Sequence, residues 1–564
     1  MEINAILMET STHMNDSERT YFMNVVELTL PTINKFSSAY LAQKESILPF
    51  FTYNPFSVDT YTKRNDLLKN RSFRRRELAA HLLEFNQRYD ADALTLHSIE
   101  KLTDSQSVVV ISGQQAGLLT GPIYTISKII STIKLAQEQE LKLGIPVVPI
   151  FWIAGEDHDF QEINHVNLPK NNEIVKHVFQ MKEAGKKMVS ELQYDKEKLH
   201  AWFLEIVNSY GESPFTKELK QELSQAIEDS STFVDIFARL IAKLFKGTGL
   251  VLVNASDPSL RKLETPYLQQ LLMKHSQIRG GMLQAQKELE EQGFAPMLEI
   301  DSESMNIFFH QEGERELLCW DEAKQIAYIK DSNRQYTVEY LTKLMEEQPE
   351  NFSNNVVTRP LMQEFLFPTL AFIGGPGEIS YWAELGRCFR SVDLEMPPVV
   401  PRISLTLLER HIDRTLVELG EDISDAVEHG LEEKRKAWLY KEELESIEAT
   451  LTSYHEQYAK VHDQFRDLGN HTLPHHQKTF EKNWNLIDKQ FTYIHRLIER
   501  SAYEKHENMM NKYERVELAV LPKGMPQERV WNIYYFVNKY GLDFVQRLCG
   551  LPLEHNGKHK IIKL

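Results

Sequence analysis

The stretch AGEDHDFQEIN follows directly on the apolar run PVVPIFW and sets Glu156, Asp157, His158 and Asp159 side by side. A histidine flanked by carboxylates can act as a metal site, as a general acid or base, or as an orienter of a substrate amine. Ligands of open α/β sheets bind outside the carboxyl ends of the strands, so an acidic cluster at such an edge is a candidate site. Asp257, in VNASDP, follows the apolar run LVLVN in the same way. An Asp before Pro is also a common helix or turn starter.

Two further stretches carry residue types suited to chemistry. SGQQAGLLTGP follows the apolar run VVVI and spaces Gly113, Gly117 and Gly121 by four, with Gln114 and Gln115 between the first two. Glycines let a backbone approach a ligand closely, and a following helix N-terminus offers free N–H groups to an anion. The spacing is neither G-x-x-x-x-G-K-[ST] nor G-x-G-x-x-G, so neither standard nucleotide fingerprint applies. In TRPLMQEFLFPTLAFIGGPGEISYWAEL, Arg359 is a candidate clamp for a carboxylate or phosphate, with Gln363 close behind. Gly375 and Gly377 belong to a tight loop, and Glu378, Tyr381 and Trp382 follow at helical spacing. Arg402, in PPVVPRISLT, stands at the junction with a compositionally different region.

These residues need elements to bring them together. VVVIS, PVVPIFWIAG and LVLVN read as buried strands, and Ile126, Ile129, Ile130 and Ile133 line one helix face between the first two. Strand, turn, helix, strand is the βαβ unit of a parallel sheet. The expected fold class is therefore α/β: a doubly wound parallel-sheet core over about 1–402, interrupted by insertions near 165–235 and 280–350. From 403 to 564 an α-helical domain is expected. Leu444, Ile447, Leu451, Tyr454, Tyr458, Val461, Phe465 and Leu468 alternate steps of three and four. After GNHTLP, the pattern resumes in Phe480, Trp484, Ile487, Phe491, Ile494 and Ile498. That periodicity specifies an antiparallel coiled-coil hairpin, and its aromatic seam residues could also serve a dimer. LPKGMPQERVWNIYYFVNKYG abandons the heptad and is expected to return to the core.

Composition narrows the function classes. With 64 Lys+Arg against 81 Asp+Glu the net charge is −17, which disfavours broad nucleic-acid binding. The longest apolar stretch, IPVVPIFWIAG, falls short of the ~20 residues a membrane helix needs. MEINAILMETSTHMNDSERT lacks the pattern of a signal peptide, and the three cysteines are far apart, against a disulfide framework or zinc site. A cytoplasmic protein is expected, with no nucleic-acid or membrane partner and no residue assigned to a metal.

SGQQAGLLTGP, PIFWIAGEDHDFQEIN, NNVVTRPLMQEFLFPTLAFIGGPGEISYW, PPVVPR and PQERVWN together resemble the BshC cysteine ligase family, across nearly the whole chain. The resemblance implies the last step of bacillithiol biosynthesis, an amide formed between the carboxyl of L-cysteine and the amine of glucosaminyl-malate. It also implies a Rossmann-like core with two connecting-peptide insertions and a coiled-coil domain that mediates homodimerisation. That core is similar to class I nucleotidyltransferases and aminoacyl-tRNA synthetases, whose His-x-Gly-His has its nearest equivalent in Leu119-Thr120-Gly121-Pro122. The glycine is kept, both histidines are missing, and no KMSKS-like lysine loop is found. ATP or another nucleotide is the expected activator of the carboxyl, and the metal requirement is open. Gln114, Gln115, Asp157, His158, Arg359, Glu378 and Tyr381 are expected to line one cleft, with His158 or Asp157 as base or orienter for the amine. A metal-dependent transferase or hydrolase centred on Glu156 to Asp159 is the second reading. A coiled-coil scaffold with a relict nucleotide fold is the third.

Overall fold

The computed structural model describes residues 23–564, apart from 171–172, 182–184, 186, 300, 312, 331–333, 473–474 and 476. The segment read as lacking a signal peptide, and Leu473 and Pro474 of the expected hairpin turn, lie outside the described residues.

Five apolar segments build one parallel sheet: β1 (Val108–Gln114), β2 (Val147–Ile153), β3 (Val251–Asn254), β4 (Thr369–Gly374) and β5 (Val399–Pro401). Their order is β5-β4-β1-β2-β3. Buried on both faces, these strands read as unbroken apolar runs. Alternate residues of β2 enter different cores, Val148, Ile150 and Trp152 on one face and Phe151 and Ile153 on the other. The helix Ile123–Leu143 makes the β1–β2 crossover, buries Ile126, Ile129, Ile130 and Ile133, and stops at Gly144 in the left-handed region. After β3 the chain crosses back to lay β4 on the free flank of β1, so the β1/β4 border is the topological switch point. The core is a Rossmann-like doubly wound sheet.

The two long connections hold structure of their own. Between β2 and β3 lie a hairpin (His165–Lys170 with Glu173–Val178) and the helices Lys196–Ser209, Thr216–Glu228 and Phe233–Leu244. Between β3 and β4, helices Pro258–Met273 and His275–Glu291 precede a five-stranded antiparallel sheet that includes Ser304–Gln311, Glu314–Asp321 and Phe352–Asn354. A three-stranded sheet ties both ends of the chain together, with His559–Lys563 between Asn24–Leu28 and Leu405–Leu408.

Helices Glu445–Thr472 and Gln477–Lys505 form the hairpin. They run antiparallel, since Glu448 meets His495, His455 meets Asp488, and the His462 ring lies tilted against Trp484. The second helix turns most of its expected seam inward: Phe480, Trp484, Ile487, Phe491 and Ile498 are half-buried, while Ile494 is exposed. The first helix follows its expected seam only near its start, where Leu444 is buried and Ile447 and Leu451 are half-buried, although Tyr458 still meets the Phe491 ring. It meets its partner with Leu451, His455, His462 and Gly469, and a Cβ on Gly469 would stand 2.2 Å from the Phe480 ring. Tyr454, Phe465 and Leu468 remain 54%, 58% and 62% exposed. At about 100° per residue this stripe lies about a quarter turn from the intrachain contact. On the second helix Leu486, Tyr493 and Leu497 are also exposed, about 120–160° around from Phe491. In an antiparallel pair these rotations bring both apolar stripes to one side of the hairpin.

Candidate functional site

At the β1/β4 border the strand ends open on a cavity of about 680 Å³. Its floor and walls include Gly113, Gln114, Gln115, Asp157, His158, Asp159, Arg359, Gln363, Gly375, Gly377, Glu378, Tyr381, Trp382 and Arg402, fourteen residues singled out from the sequence. Three do not line it. Asp257 caps the helix Pro258–Met273 by accepting from Ser259 N–H, and its other oxygen pairs with Arg88 at 2.5 Å. It is a helix starter rather than a ligand group. Gly117 and Gly121 line an adjacent cavity, shared with Gln114, Gln115, Tyr124, Glu162 and Arg529.

The spacing of glycines in the first loop has a packing cause. Gly113 sits opposite Trp152, where a Cβ would come within 2.8 Å of the Trp152 carbonyl oxygen. A Cβ on Gly117 would stand 3.0 Å from the Gly121 Cα. Between these two, Leu119 and Thr120 occupy the left-handed region at φ 48° and 65°, a strain of roughly 1–3 kcal/mol each for residues that are not glycine. Asn532, from the returning C-terminal segment, donates from Nδ2 to the carbonyls of Leu119 (2.8 Å) and Gly121 (2.9 Å) and latches the turn. The Ile123 N–H at the helix start donates to the Trp531 carbonyl. That N–H was a candidate phosphate donor, and the chain itself has taken it.

The paired glutamines link charges. Lys128, fully buried on the helix Ile123–Leu143, donates to the Gly113 carbonyl (2.8 Å) and Gln114 Oε1 (2.9 Å) and pairs with Glu378 at 2.6 Å. Burial pushes the ammonium below its usual range, against the pull of Glu378. Gln114 Nε2 donates to Gln115 Oε1 (2.7 Å), and Gln115 Nε2 donates to Glu162 (2.7 Å) and, at 3.4 Å, to Asp157. Glu378 is thus engaged twice, since it also accepts the Gly375 N–H at 2.8 Å.

The acidic cluster faces guanidinium groups. Glu156 is buried and pairs with Arg261 (3.0 Å), which also holds Glu264 (2.6 Å). Burial raises the Glu264 carboxyl to about 7, with Arg261 opposing and Glu156 adding to the rise. Burial acts to raise Asp157 too, but Arg315, Arg359 and the N–H groups of Asp159 and His158 outweigh it and hold that carboxyl below its ordinary value. His158 was expected among carboxylates. Arg315 stands 3.0 Å from its Nδ1, closer than Asp157 at 3.9 Å. A guanidinium only donates, so Nδ1 accepts and is not available as a base. Asp159 caps the short helix Phe160–Ile163.

Arg315 arrives from the strand Glu314–Asp321, stacked 3.6 Å over Phe308 and bonded to Ser353 and Asn354. Burial lowers its pKa to about 10. Arg359 projects from the helix Thr358–Leu366 beside Tyr381, whose hydroxyl burial pushes up to about 12. Among the described residues neither Arg315 nor Arg359 has a carboxylate within 4.0 Å. Arg402 differs: Glu528 holds it through two 2.6 Å contacts, which occupies one edge of its fork. Trp382 stacks on Phe372 at 4.2 Å and forms wall rather than handle.

Sequence reasoning missed Lys128, Glu162, Arg315, Arg529 and Asn532. Lys128 had a signal, a lone charge inside IYTISKIISTI where the helix face is otherwise isoleucine. Arg315 had none, because its position depends on a sheet within an insertion read only as polar.

Comparison with known proteins accounts for the chain from residue 23 to its end. Residues 23–403 match the family described as bacillithiol biosynthesis BshC, N-terminal Rossmann-like domain, and residues 405–564 match its C-terminal coiled-coil domain. A protein of Geobacillus sp. named "Putative cysteine ligase BshC" is 40% identical over 540 residues, 96% of this chain and 100% of its own length. Proteins of the same name from Anoxybacillus flavithermus and Bacillus cereus are each 40% identical over 542 residues, with the same coverage. Identity at that level over both domains, with the switch-point cleft assembled from the motifs that carried the resemblance, leaves one conclusion: the chain belongs to the BshC family of bacillithiol biosynthesis.

Proposed function

We propose that this chain is a carbon–nitrogen ligase that joins the carboxyl of L-cysteine to the amine of glucosaminyl-malate, with ATP or another nucleotide activating the carboxyl. The relatives' name supports the cysteine-ligase part. The observation that carries the reading at the site is the pair Arg315 and Arg359, two guanidiniums fixed in one cleft with no carboxylate within 4.0 Å among the described residues, Asp157 acting on both from farther off. An anionic substrate supplies the missing charge, and both a malate carboxylate and an activating phosphate have the geometry for an arginine fork. An amide does not form from a free carboxylate and an amine in water, so activation belongs to the proposal. Arg359 is the preferred clamp.

The metal-centred reading is the weaker one, because Glu156 and Asp157 already face guanidiniums. No group of three or more His, Cys, Asp or Glu among the described residues is arranged to hold a metal ion. The scaffold reading has no use for three motif-bearing segments converging on one cavity. The proposal extends to a homodimer through the exposed stripe of Tyr454, Phe465, Leu468, Leu486, Tyr493 and Leu497, and to a cytoplasmic location. No helix among the described residues is long and apolar enough to cross a membrane, and the three cysteines are free thiols.

The test is product formation from L-cysteine and glucosaminyl-malate with each nucleotide, followed by mass spectrometry. Wild type should yield the amide, and Arg359→Met should raise KM for the substrate it clamps by about 10- to 100-fold, the worth of a charge-assisted contact. Absence of product with every nucleotide overturns the ligase reading.

A further inference from the structure

The chain Lys128–Gln114–Gln115 has a polarity that the ammonium fixes. Lys128 can only donate, so Gln114 presents Oε1 to it and turns its NH₂ outward. Gln115 must then accept through Oε1 and donate through Nε2, and its NH₂ ends on Oε2 of Glu162. No other orientation of the two amides satisfies all three contacts. Glu162 stands on the solvent-exposed rim where the main cavity meets the adjacent one, and it lines both. Its Oε1 makes no hydrogen bond among the described residues.

We propose that Glu162 is the proton acceptor for the attacking amine, aimed by Gln115 and, through it, by Gln114 and Lys128. The inference rests on the ligase reading. In the step, one N–H bond of the substrate ammonium breaks and an O–H bond forms on Glu162 Oε1. The freed nitrogen lone pair forms the C–N bond to the activated acyl carbon. The bond from that carbon to the nucleotide-derived phosphate oxygen breaks with its electron pair, and the second nitrogen proton passes to the departing phosphate or to water. The rim position lets the carboxyl return its proton to water. The three glutamine and lysine side chains are positioning residues.

The surroundings suit an acceptor. Asp159 and Asp157 act on Glu162 from its own loop, and the cavity it rims is also lined by Tyr124 from the helix Ile123–Leu143, His165 and Lys176 from the hairpin, and Arg529 from the C-terminal segment. Burial, then Asp159 and Asp157, raise the Glu162 carboxyl above its usual range, while Asp157 is held below. Two carboxylates in one cleft with values driven apart divide the work, the raised one taking protons and the lowered one staying charged to steer a cation. His158 cannot compete through Nδ1, which already accepts from Arg315.

The experiment measures amide formation against pH with L-cysteine, glucosaminyl-malate and ATP, using wild type, Glu162→Gln, Glu162→Asp and Gln115→Leu. Wild-type kcat should rise with pH through an acid limb, since Glu162 must be ionised to accept. Glu162→Gln should lose about 100-fold in kcat at neutral pH with KM for cysteine nearly unchanged. Its limb should be replaced by a steady rise toward the pKa of the free amine. Glu162→Asp should restore part of the rate, and Gln115→Leu should move the limb while the thermal midpoint holds. An active wild type beside a folded Glu162→Gln with the same rate and pH profile overturns this inference alone. A wild type without product removes the ligase reading on which it stands.

Discussion

Replacing Glu528 by Gln tests whether the returning C-terminal segment is held by charge. Glu528 and Arg402 are 4% and 7% exposed, and both carboxylate oxygens contact the guanidinium at 2.6 Å. Glu528 also accepts the Leu405 N–H, and Arg402 donates to Ser127. Glutamine keeps the shape but sets an NH₂ against a guanidinium N–H and leaves the buried cation unpaired. Removing one partner of such a pair costs about 3–5 kcal/mol, whereas replacing both by apolar groups of similar size is often neutral. Glu528→Gln should therefore lower stability by about 3 kcal/mol or more, and the double variant Arg402→Met/Glu528→Met should recover most of that loss. Denaturant unfolding followed by tryptophan fluorescence reads it, with Trp531 three residues away as a local reporter. Burial acts to raise Glu528, and Arg402 more than offsets this, leaving the folded carboxyl below its usual value. Its contribution is thus complete above the unfolded carboxyl's pKa and lost as pH falls through the folded one. A Glu528→Gln protein within about 0.5 kcal/mol of wild type, or a double variant as unstable as the single, refutes the reasoning.

Gly113→Ala should destabilise the core and abolish activity, because the new Cβ meets backbone rather than a movable side chain; thermal melts and the ligation assay check this. Phe465→Glu should leave helicity by circular dichroism intact but dissociate the proposed homodimer in sedimentation. Phe491→Ala should instead loosen the hairpin, since Phe491 packs against His455 and Tyr458. Glu264 has a raised folded-state value of about 7, so its folded form binds more protons and stability falls as pH climbs from about 4.5 through 7. Glu264→Gln should flatten that fall, by about 1–3 kcal/mol between pH 5 and 8, as read by unfolding midpoints at each pH.

The fold was largely legible because buried parallel strands announce themselves as unbroken apolar runs, as VVVI and PVVPIFWI do. β4 and β5 were overlooked as strands, since their short runs sit inside glycine- and proline-rich motifs. The coiled-coil period and its direction hold along most of the second helix and at Leu444, Ile447 and Leu451 of the first, but the direction fails on the first helix from Tyr454 onward. Periodicity gives the stripe, and only packing showed that His455, His462 and Gly469, rather than Tyr454 and Phe465, meet the second helix. At the site, sequence located strand-end residues well because the switch point gathers them. It could not foresee that Glu378, Arg402 and the Ile123 N–H spend their bonding capacity on Lys128, Glu528 and Trp531. Partners hundreds of residues away leave no local trace.

The Asn532 latch has a bearing on how the molecule comes into being. The turn it holds, Leu118 to Gly121, is synthesised more than four hundred residues earlier. Chains emerge N-terminus first and domains fold as they appear. The parallel sheet can be complete once β5 has emerged, while its first loop still lacks the amide that secures two left-handed residues. Arg402 waits likewise for Glu528, and the strand Asn24–Leu28 for His559–Lys563. The segment after the hairpin also buries Val530, Trp531, Ile533 and Phe536 in the core that holds Ile126 and Phe151, so closing the cleft and completing that core are one event that waits for residues 527–563.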